Sequence, residues 1–158
     1  MQLILLRHGE SQWNLENRFT GWKDVSLTHT GKQEASFAAN QLLNLNIDLN
    51  SIYTSLLKRA TQTTNIVADI LGFPKDDIIY DWRLNERHYG ALQGLNKSET
   101  AAKYGEEQVH IWRRSYDTPP PLLSEEDIRY TNTKKKFKDI KSSILKGESL
   151  KNVITRLE

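Results

Sequence analysis

The feature that most constrains this chain is an apolar run that ends abruptly in an arginine and a histidine. Residues 3–6 (LILL) are followed directly by Arg7, His8 and Gly9. An unbroken apolar run of this kind predicts a strand buried on both faces, as in a parallel sheet. Glycine lets the backbone turn there or approach a ligand closely. Because ligands in open α/β sheets bind beyond the carboxyl ends of strands, Arg7 and His8 are placed to grip an anion and to present a nucleophile.

Strand and helix patterns alternate along the first half of the chain. Short apolar segments at 52–55 and 78–82 are typical of strands. One helix is predicted to begin at Thr28 or Thr30 as its N-cap, and a second to span 58–71. Together with the first run, this β-α-β-α-β order favours a parallel sheet with right-handed crossovers.

The second half of the chain is more polar. Gly72 is predicted to end the second helix. A polar loop at 83–94 follows the last predicted strand, and a helix is predicted over 98–112 with its first residue as the cap. The very polar segment 124–141 then precedes a last helix that begins near 148–150.

The composition bounds the class of protein. With 158 residues the chain is long enough for one domain with a substantial core. Its formal net charge of +2 does not indicate a nucleic-acid partner. It contains no cysteine, which excludes disulfides, thiolate metal sites and a cysteine nucleophile. The N-terminal apolar run is too short for a signal peptide or a membrane span, so we expect a soluble cytoplasmic protein without a membrane partner.

Several blocks of sequence carry a family resemblance. Residues 7–14 (RHGESQWN), continued at 17–22 (NRFTGW), closely resemble the cofactor-dependent phosphoglycerate mutases of the histidine phosphatase superfamily. The short Arg-His-Gly core is shared by the whole superfamily, whereas the longer version is specific to the mutases. Further matching blocks lie at 53–60 (YTSLLKRA), 84–90 (LNERHYG), 92–97 (LQGLNK) and 112–117 (WRRSYD). The resemblance therefore spans essentially the whole chain.

This resemblance implies an α/β fold, namely a three-layer α/β/α phosphoglycerate mutase-like architecture with a mostly parallel sheet. We expect residues 1–158 to form a single domain of this kind, truncated at its C-terminus so that the last strands are absent. Superfamily members carry a second catalytic histidine in an Ala-His-Gly-Asn-like segment, and this sequence has no such segment. Our hypothesis is that these residues are the N-terminal two-thirds of a longer mutase rather than the product of a truncated gene.

The resemblance also assigns the phosphoryl-transfer chemistry. His8 is implied to be the nucleophile that forms phosphohistidine, and a neutral imidazole attacks well only when its other nitrogen keeps a fixed hydrogen bond, often to a backbone carbonyl. Arg7 and Arg59 resemble phosphate clamps, because a guanidinium matches phosphate oxygens and stays charged. Glu86 resembles the general acid/base, and partial burial would help it to hold a proton. Taken alone, Arg59 would be a surface arginine on a helix and Glu86 an exposed loop carboxylate.

Further positions match the substrate contacts of the family. With the catalytic residues included, the implied substrate-binding set is Arg7, His8, Gly9, Glu10, Ser11, Gln12, Trp13, Asn14, Thr20, Gly21, Arg59, Glu86, Arg87, His88, Tyr89, Lys97, Arg113 and Arg114. The cations Lys97, Arg113 and Arg114 suit a substrate that carries a carboxylate as well as a phosphate. Arg113 and Arg114 also suit a helix C-terminus, where positive charge complements the macrodipole. No histidine lies in a metal-ligand spacing, so we predict no metal.

The implied function is interconversion of 3-phosphoglycerate and 2-phosphoglycerate in glycolysis and gluconeogenesis, with 2,3-bisphosphoglycerate as the cofactor that primes His8. One alternative is a histidine-type phosphatase of the same superfamily, in which water takes the phosphoryl group from His8. Another is a catalytically impaired remnant that acts only in binding. The family also suggests a homo-oligomer, either a dimer or a tetramer.

Overall fold

Helices form most of the regular structure in residues 2–138, 140 and 146–158, which the computed structural model describes. The α-helices and strands are Gln12–Leu15 (α1), His29–Asn44 (α2), Ile52–Thr54 (β1), Lys58–Leu71 (α3), Ile78–Tyr80 (β2), Lys97–Tyr104 (α4), Glu106–Arg114 (α5), Ile128–Lys136 (α6) and Leu150–Leu157 (α7). This mixture confirms the predicted α/β class. The chain divides into two compact units: the first comprises Met1–Leu15 and Asp24–Asp81, and the second comprises Glu16–Lys23 and Trp82–Glu158.

The first unit combines helices with a two-stranded parallel sheet. β1 and β2 run parallel with Ile52 opposite Ile78, which confirms the predicted pairing mode of these segments. Thr28 caps α2 because its side chain accepts a hydrogen bond from the Gly31 N–H, so the first of the two predicted caps is correct. α3 ends at Gly72, whose φ of 67° is the left-handed conformation that glycine adopts without strain.

The apolar run at 3–6 is not a strand. Residues 2–10 contain no regular secondary structure, and the side chains of Leu3 and Leu5 are 75% and 86% exposed. The prediction of a strand buried on both faces is therefore wrong. A strand requires a hydrogen-bonded neighbour, and in the part of the chain that the structure describes, the sheet contains only β1 and β2. The segment that leads to the predicted nucleophile is consequently an exposed one.

The second unit contains a small apolar core. Phe19, Leu92 and Val109 are buried together, and Tyr89 and Trp112 pack against them. The loop that contains Tyr89 is thereby joined to α5, the helix that contains Trp112. Both segments carry predicted site residues, so the core sets their relative placement within this unit.

Three helices of the second unit differ from the predicted pattern or extend it. The single helix predicted over 98–112 is divided into α4 and α5 at Gly105, whose φ of 86° leaves the helical region. Asn96, rather than the predicted Ser98, caps α4. α6 lies within the segment for which only polarity was predicted. α7 begins where the sequence predicts it, with Ser149 as its cap.

Candidate active site

Both ring nitrogens of His8 have a defined neighbour. Nδ1 lies 2.7 Å from the carbonyl oxygen of Gly9, and Nε2 lies 3.2 Å from Nε of Arg59. Because a guanidinium can only donate, Nε2 accepts this hydrogen bond, and Nδ1 carries the proton that it donates to Gly9. The neutral imidazole that the chemistry requires is therefore held by a backbone carbonyl, that of Gly9. The lone pair on Nε2 is the nucleophilic one in this tautomer.

Arg59 is buried although it carries a charge. It is the second residue of α3 and is only 1% exposed, which excludes the alternative of a surface arginine. Leu57, at the N-cap position, makes no side-chain hydrogen bond to the helix end. The Asp24 carboxylate accepts the Lys58 N–H at 2.6 Å, as expected at a helix N-terminus, which favours an anion. Arg59 adds a full positive charge beside Nε2 of His8. This arrangement suits neutralisation of a phosphoryl group at Nε2.

The backbone after His8 is held by α3. The Gly9 N–H donates a hydrogen bond of 3.2 Å to Oγ1 of Thr63, and this hydroxyl donates one of 2.9 Å to the Arg59 carbonyl oxygen. One helix thus fixes both the residue whose carbonyl orients His8 and the arginine that contacts it. Thr63 is absent from the predicted set, although its i, i+4 spacing from Arg59 places it on the same helix face. We refer to His8, Gly9, Arg59 and Thr63 as the His8 cluster.

Gly9 also makes a close backbone contact with the start of α2. A Cβ on Gly9 would lie 2.0 Å from the Gly31 carbonyl oxygen, and a Cβ on Gly31 would lie 2.1 Å from that of Glu10. Neither position therefore has room for a side chain. The Thr28 N–H donates to the Glu10 carbonyl at 2.9 Å, and the Thr28 hydroxyl donates to Oε1 of Glu10 at 2.7 Å. Glu10 thus secures the loop to α2 in this structure.

The remaining residues of the opening motif differ in their contacts and in their exposure to solvent. The N–H and hydroxyl of Ser11 donate to Oδ1 of Asn14 at 3.0 and 2.8 Å. The Asn14 side chain, a predicted substrate contact, therefore binds the residue directly before α1. Trp13 is half-buried, and Gln12 and Arg7 are exposed. Arg7 makes no hydrogen bond or ion pair with the residues that the structure describes. The structure therefore brings Arg59, but not the Arg7 guanidinium, into the His8 cluster.

Glu86 lies in a loop of the second unit. Its carbonyl oxygen accepts a hydrogen bond of 2.7 Å from Nε1 of Trp22, which fixes the backbone there. The residue is exposed, so the partial burial expected for a general acid is not found. Its placement agrees with the alternative of an exposed loop carboxylate.

A second group of predicted substrate contacts meets around Arg87. Its Nη2 donates to the Arg113 carbonyl oxygen at 2.6 Å, and its guanidinium lies over the Tyr89 ring, 5.0 Å from the centroid. Gly21 packs against the same segment, because a Cβ there would lie 3.0 Å from the Tyr89 nitrogen. Arg113 is half-buried, and its Nε has no hydrogen-bond partner among the described residues. This group, the Arg87 cluster, thus contains a buried cationic donor that no described residue satisfies.

The other predicted contacts of the second unit have varied positions. Thr20 is buried. Lys97 is the first residue of α4, and its N–H donates to the Asn17 carbonyl at 2.8 Å. Arg114 is the exposed last residue of α5, where its charge complements the helix dipole as predicted.

His88 is a core residue rather than an accessible one. It is 0% exposed, and its Nδ1 accepts a hydrogen bond of 2.9 Å from the Gly90 N–H. The prediction that His88 contacts substrate disagrees with this burial. Burial, assisted by the nearby charge of Arg129, lowers the pKa of His88 from 6.5 to about 4. The ring is therefore neutral at pH 7, and its Nδ1 binds the Gly90 N–H within the loop.

Across residues 2–138, 140 and 146–158, no three His, Asp or Glu side chains are grouped so that they could hold a metal ion. Over the same residues, no helix is long and apolar enough to cross a membrane.

The His8 cluster places a histidine ring nitrogen beside a buried arginine, an arrangement that suits phosphoryl transfer. The family model of the histidine phosphatase superfamily (branch 1) matches residues 3–154. The chain therefore belongs to this superfamily. The match agrees with the resemblance carried by the opening motif.

Curated relatives share about half of their residues with this chain. It is 55% identical over 158 residues to a 2,3-bisphosphoglycerate-dependent phosphoglycerate mutase of Lachnoclostridium phytofermentans, and the match covers 99% of this chain and 64% of the relative. It is 50% identical over 157 residues to the protein of the same name from Dichelobacter nodosus, again covering 99% of this chain and 64% of the relative. The chain thus spans slightly less than two-thirds of the length of these relatives.

Solved structures show the same fold at lower identity. The chain is similar to a structure described as mycobacterial hydrolase 1, with a TM-score of 0.69 and 25% identity over 95% of this chain and 57% of that one. It is also similar to a mycobacterial glucosyl-3-phosphoglycerate phosphatase in complex with VO3, with a TM-score of 0.63 and 29% identity over 72% of this chain and 54% of that one.

Proposed function

We propose that this chain acts as a 2,3-bisphosphoglycerate-dependent phosphoglycerate mutase, an isomerase that interconverts 3-phosphoglycerate and 2-phosphoglycerate. The observation that carries the proposal is the fixed tautomer of His8, with Nδ1 bonded to Gly9 and Nε2 facing the buried Arg59. The names of relatives that are 50–55% identical to this chain support the choice of a mutase within the superfamily.

In the proposed reaction, 2,3-bisphosphoglycerate supplies the phosphoryl group that primes the enzyme. Nε2 of His8 attacks phosphorus, so that an N–P bond forms as a P–O bond breaks. Glu86 protonates the oxygen that leaves. Glu86 then takes the proton from the substrate hydroxyl that attacks the phosphohistidine, and the N–P bond breaks. Return of the other phosphoryl group of the bound bisphosphate to His8 completes the isomerisation.

Charge neutralisation in this proposal falls to the arginines. Arg59, at the start of α3, neutralises the transferring phosphoryl group, since its guanidinium stays charged at all working pH values. The Arg87 cluster suits the remaining anionic groups of the substrate, and the Nε of Arg113 is a donor that a carboxylate or phosphate would satisfy. Arg7, Lys97 and Arg114 are retained as proposed contacts.

Phosphorylation of His8 is the direct test. The protein is incubated with 2,3-bisphosphoglycerate and digested, and the peptides are analysed by mass spectrometry. We expect an acid-labile phosphoryl adduct on His8 and interconversion of the two monophosphates. The His8→Gln variant should lose both, whereas His29→Gln, which replaces an exposed histidine, should keep both. An unmodified His8 in a folded protein would contradict the proposal.

The second candidate function is hydrolysis by the same phosphohistidine. It is favoured by the exposure of Glu86, which leaves water access to the proposed acid/base, and by the similarity to a phosphatase structure. Release of free phosphate from 2,3-bisphosphoglycerate that outpaces isomerisation would select this function.

Cytoplasmic location and a homo-oligomeric state are further parts of the proposal. They rest on the resemblance of residues 7–14 and 17–22 to the phosphoglycerate mutases. Sedimentation of the purified protein, with a dimer or tetramer expected, tests the oligomeric state.

A further inference from the structure

A buried ion pair in the second unit contacts the loop that carries Glu86. Nε of Arg156 donates to Oε1 of Glu148 at 2.7 Å, and the two side chains are 5% and 0% exposed. A buried ion pair is weak evidence for stability, because the cost of removing both charges from water offsets their attraction. A role in fixing one conformation of the surrounding backbone explains this pair better.

Both partners bind backbone groups on either side of Glu86. Arg156 donates through Nη1 to the Arg83 carbonyl oxygen and through Nη2 to that of Asn85 at 2.5 Å. Glu148 accepts the His88 N–H on Oε2 at 2.7 Å, and its own N–H donates to the His88 carbonyl at 2.9 Å. The pair therefore binds residues 83–88 at three positions.

The ion pair is itself held by a defined helix start. Ser149 and Asn152 form a reciprocal capping box at the N-terminus of α7, directly after Glu148. The Arg156 guanidinium lies 6.0 Å from the centroid of the Trp22 ring, and the indole of Trp22 donates to the Glu86 carbonyl. Glu148, Arg156 of α7 and Trp22 thus all bind the backbone of this loop.

We propose that Glu148 and Arg156 are positioning residues that hold the backbone of 83–88 and thereby fix the place of the Glu86 carboxylate. The importance of that placement for turnover rests on the function proposed above, whereas the contact with the loop does not. Arg156 and Glu148 need not touch substrate in this role.

Hydrogen exchange tests the contact without requiring activity. The variants are Arg156→Gln and Glu148→Gln, with Arg156→Lys as a milder change that keeps the charge but loses the planar fork. Lys151→Gln, which removes an exposed positive charge from the same helix, is the control. We expect the His88 amide to exchange about tenfold faster or more in both neutralised variants and unchanged in the control. Glu148→Gln removes the charged acceptor of the His88 N–H, and Arg156→Gln removes the arginine that holds this acceptor in place. Exchange equal to that of the parent protein would overturn the proposal.

Kinetics test whether the support matters for catalysis. We expect kcat to fall by about 10- to 100-fold in Arg156→Lys with little change in KM, because the acid/base is displaced while substrate binding is kept. The limb of the pH profile that Glu86→Gln removes should also shift. In the Glu86→Gln background, Arg156→Lys should lower kcat no further.

The outcomes separate the two proposals. Equal losses of kcat in both backgrounds, or a loosened loop with unchanged kcat, would refute positioning of Glu86. Faster exchange in the variants, together with a parent protein that never phosphorylates His8, would refute the proposed function and leave the loop contact established.

Discussion

Replacing Thr63 by valine tests how the backbone beside His8 is held. Valine keeps the shape of threonine but removes the hydroxyl that accepts from the Gly9 N–H and donates to the Arg59 carbonyl. Thr63 is 4% exposed, so water has little access to replace the lost partner. A buried donor that loses its partner costs about 1–3 kcal/mol. We therefore expect Thr63→Val to lower the free energy of unfolding by about 2 kcal/mol.

Urea unfolding measures this change as a lower midpoint at constant slope. Thr61→Val is the matched control, because the Thr61 hydroxyl bonds the Lys58 carbonyl at an exposed place on the same helix. It should change the free energy of unfolding by less than about 0.5 kcal/mol. Thr63→Ser, which keeps the hydroxyl, should recover most of the loss. If Thr63→Val were as mild as Thr61→Val, the hydroxyl would not hold Gly9, and the account of how His8 is oriented would fail.

Two further predictions concern pH and space. The pKa of His88 is lowered from 6.5 to about 4 on folding, so the unfolded chain binds more protons between these values and stability falls as the pH falls. We expect this residue to lower the free energy of unfolding by about 2 kcal/mol between pH 7 and 4.5. His88→Gln corrects for the other titrating groups, and a urea midpoint that is equal at both pH values after this correction would contradict the prediction. Gly9→Ala should prevent native packing because its Cβ would lie 2.0 Å from the Gly31 carbonyl, whereas Gly72→Ala meets no atom within 4 Å and should cost only about 1–2 kcal/mol for its left-handed backbone. Comparable thermal midpoints for the two variants would show that the Gly31 backbone moves to make room for the added Cβ, which would contradict this prediction.

Local signals predicted the elements that depend on local chemistry. The cap at Thr28 and the helix end at Gly72 were readable because each is set by one residue and its immediate neighbours. The strand prediction for residues 3–6 was wrong because a strand forms only beside a hydrogen-bonded partner strand from another part of the chain. Apolar content indicates only a tendency to be buried. The division at Gly105 was visible as a glycine, but one glycine costs a helix only about 1 kcal/mol, which does not decide whether the helix stops.

The site shows the same limit in a different form. His8 and Arg59 were predicted from the resemblance of their sequence blocks to the mutases, and the structure joins them. Thr63 and Arg156 were not predicted, because a hydroxyl or a guanidinium that binds backbone has no sequence signature and its target lies far away in the chain. The spacing is 54 residues from Gly9 to Thr63 and 71 from Asn85 to Arg156.

These two supports solve one physical problem in the same way. A candidate catalytic residue placed on a loop needs a backbone that does not move, and a loop has no ladder of its own hydrogen bonds to prevent movement. In each unit a helix provides a buried polar side chain that binds loop backbone, Thr63 from α3 and Arg156 from α7. Because a buried polar group without its partner is costly, each support also penalises any alternative loop conformation. Loss of either support should therefore appear first as local opening of its own loop, and His8 and Glu86 should lose their placement before the helices unfold.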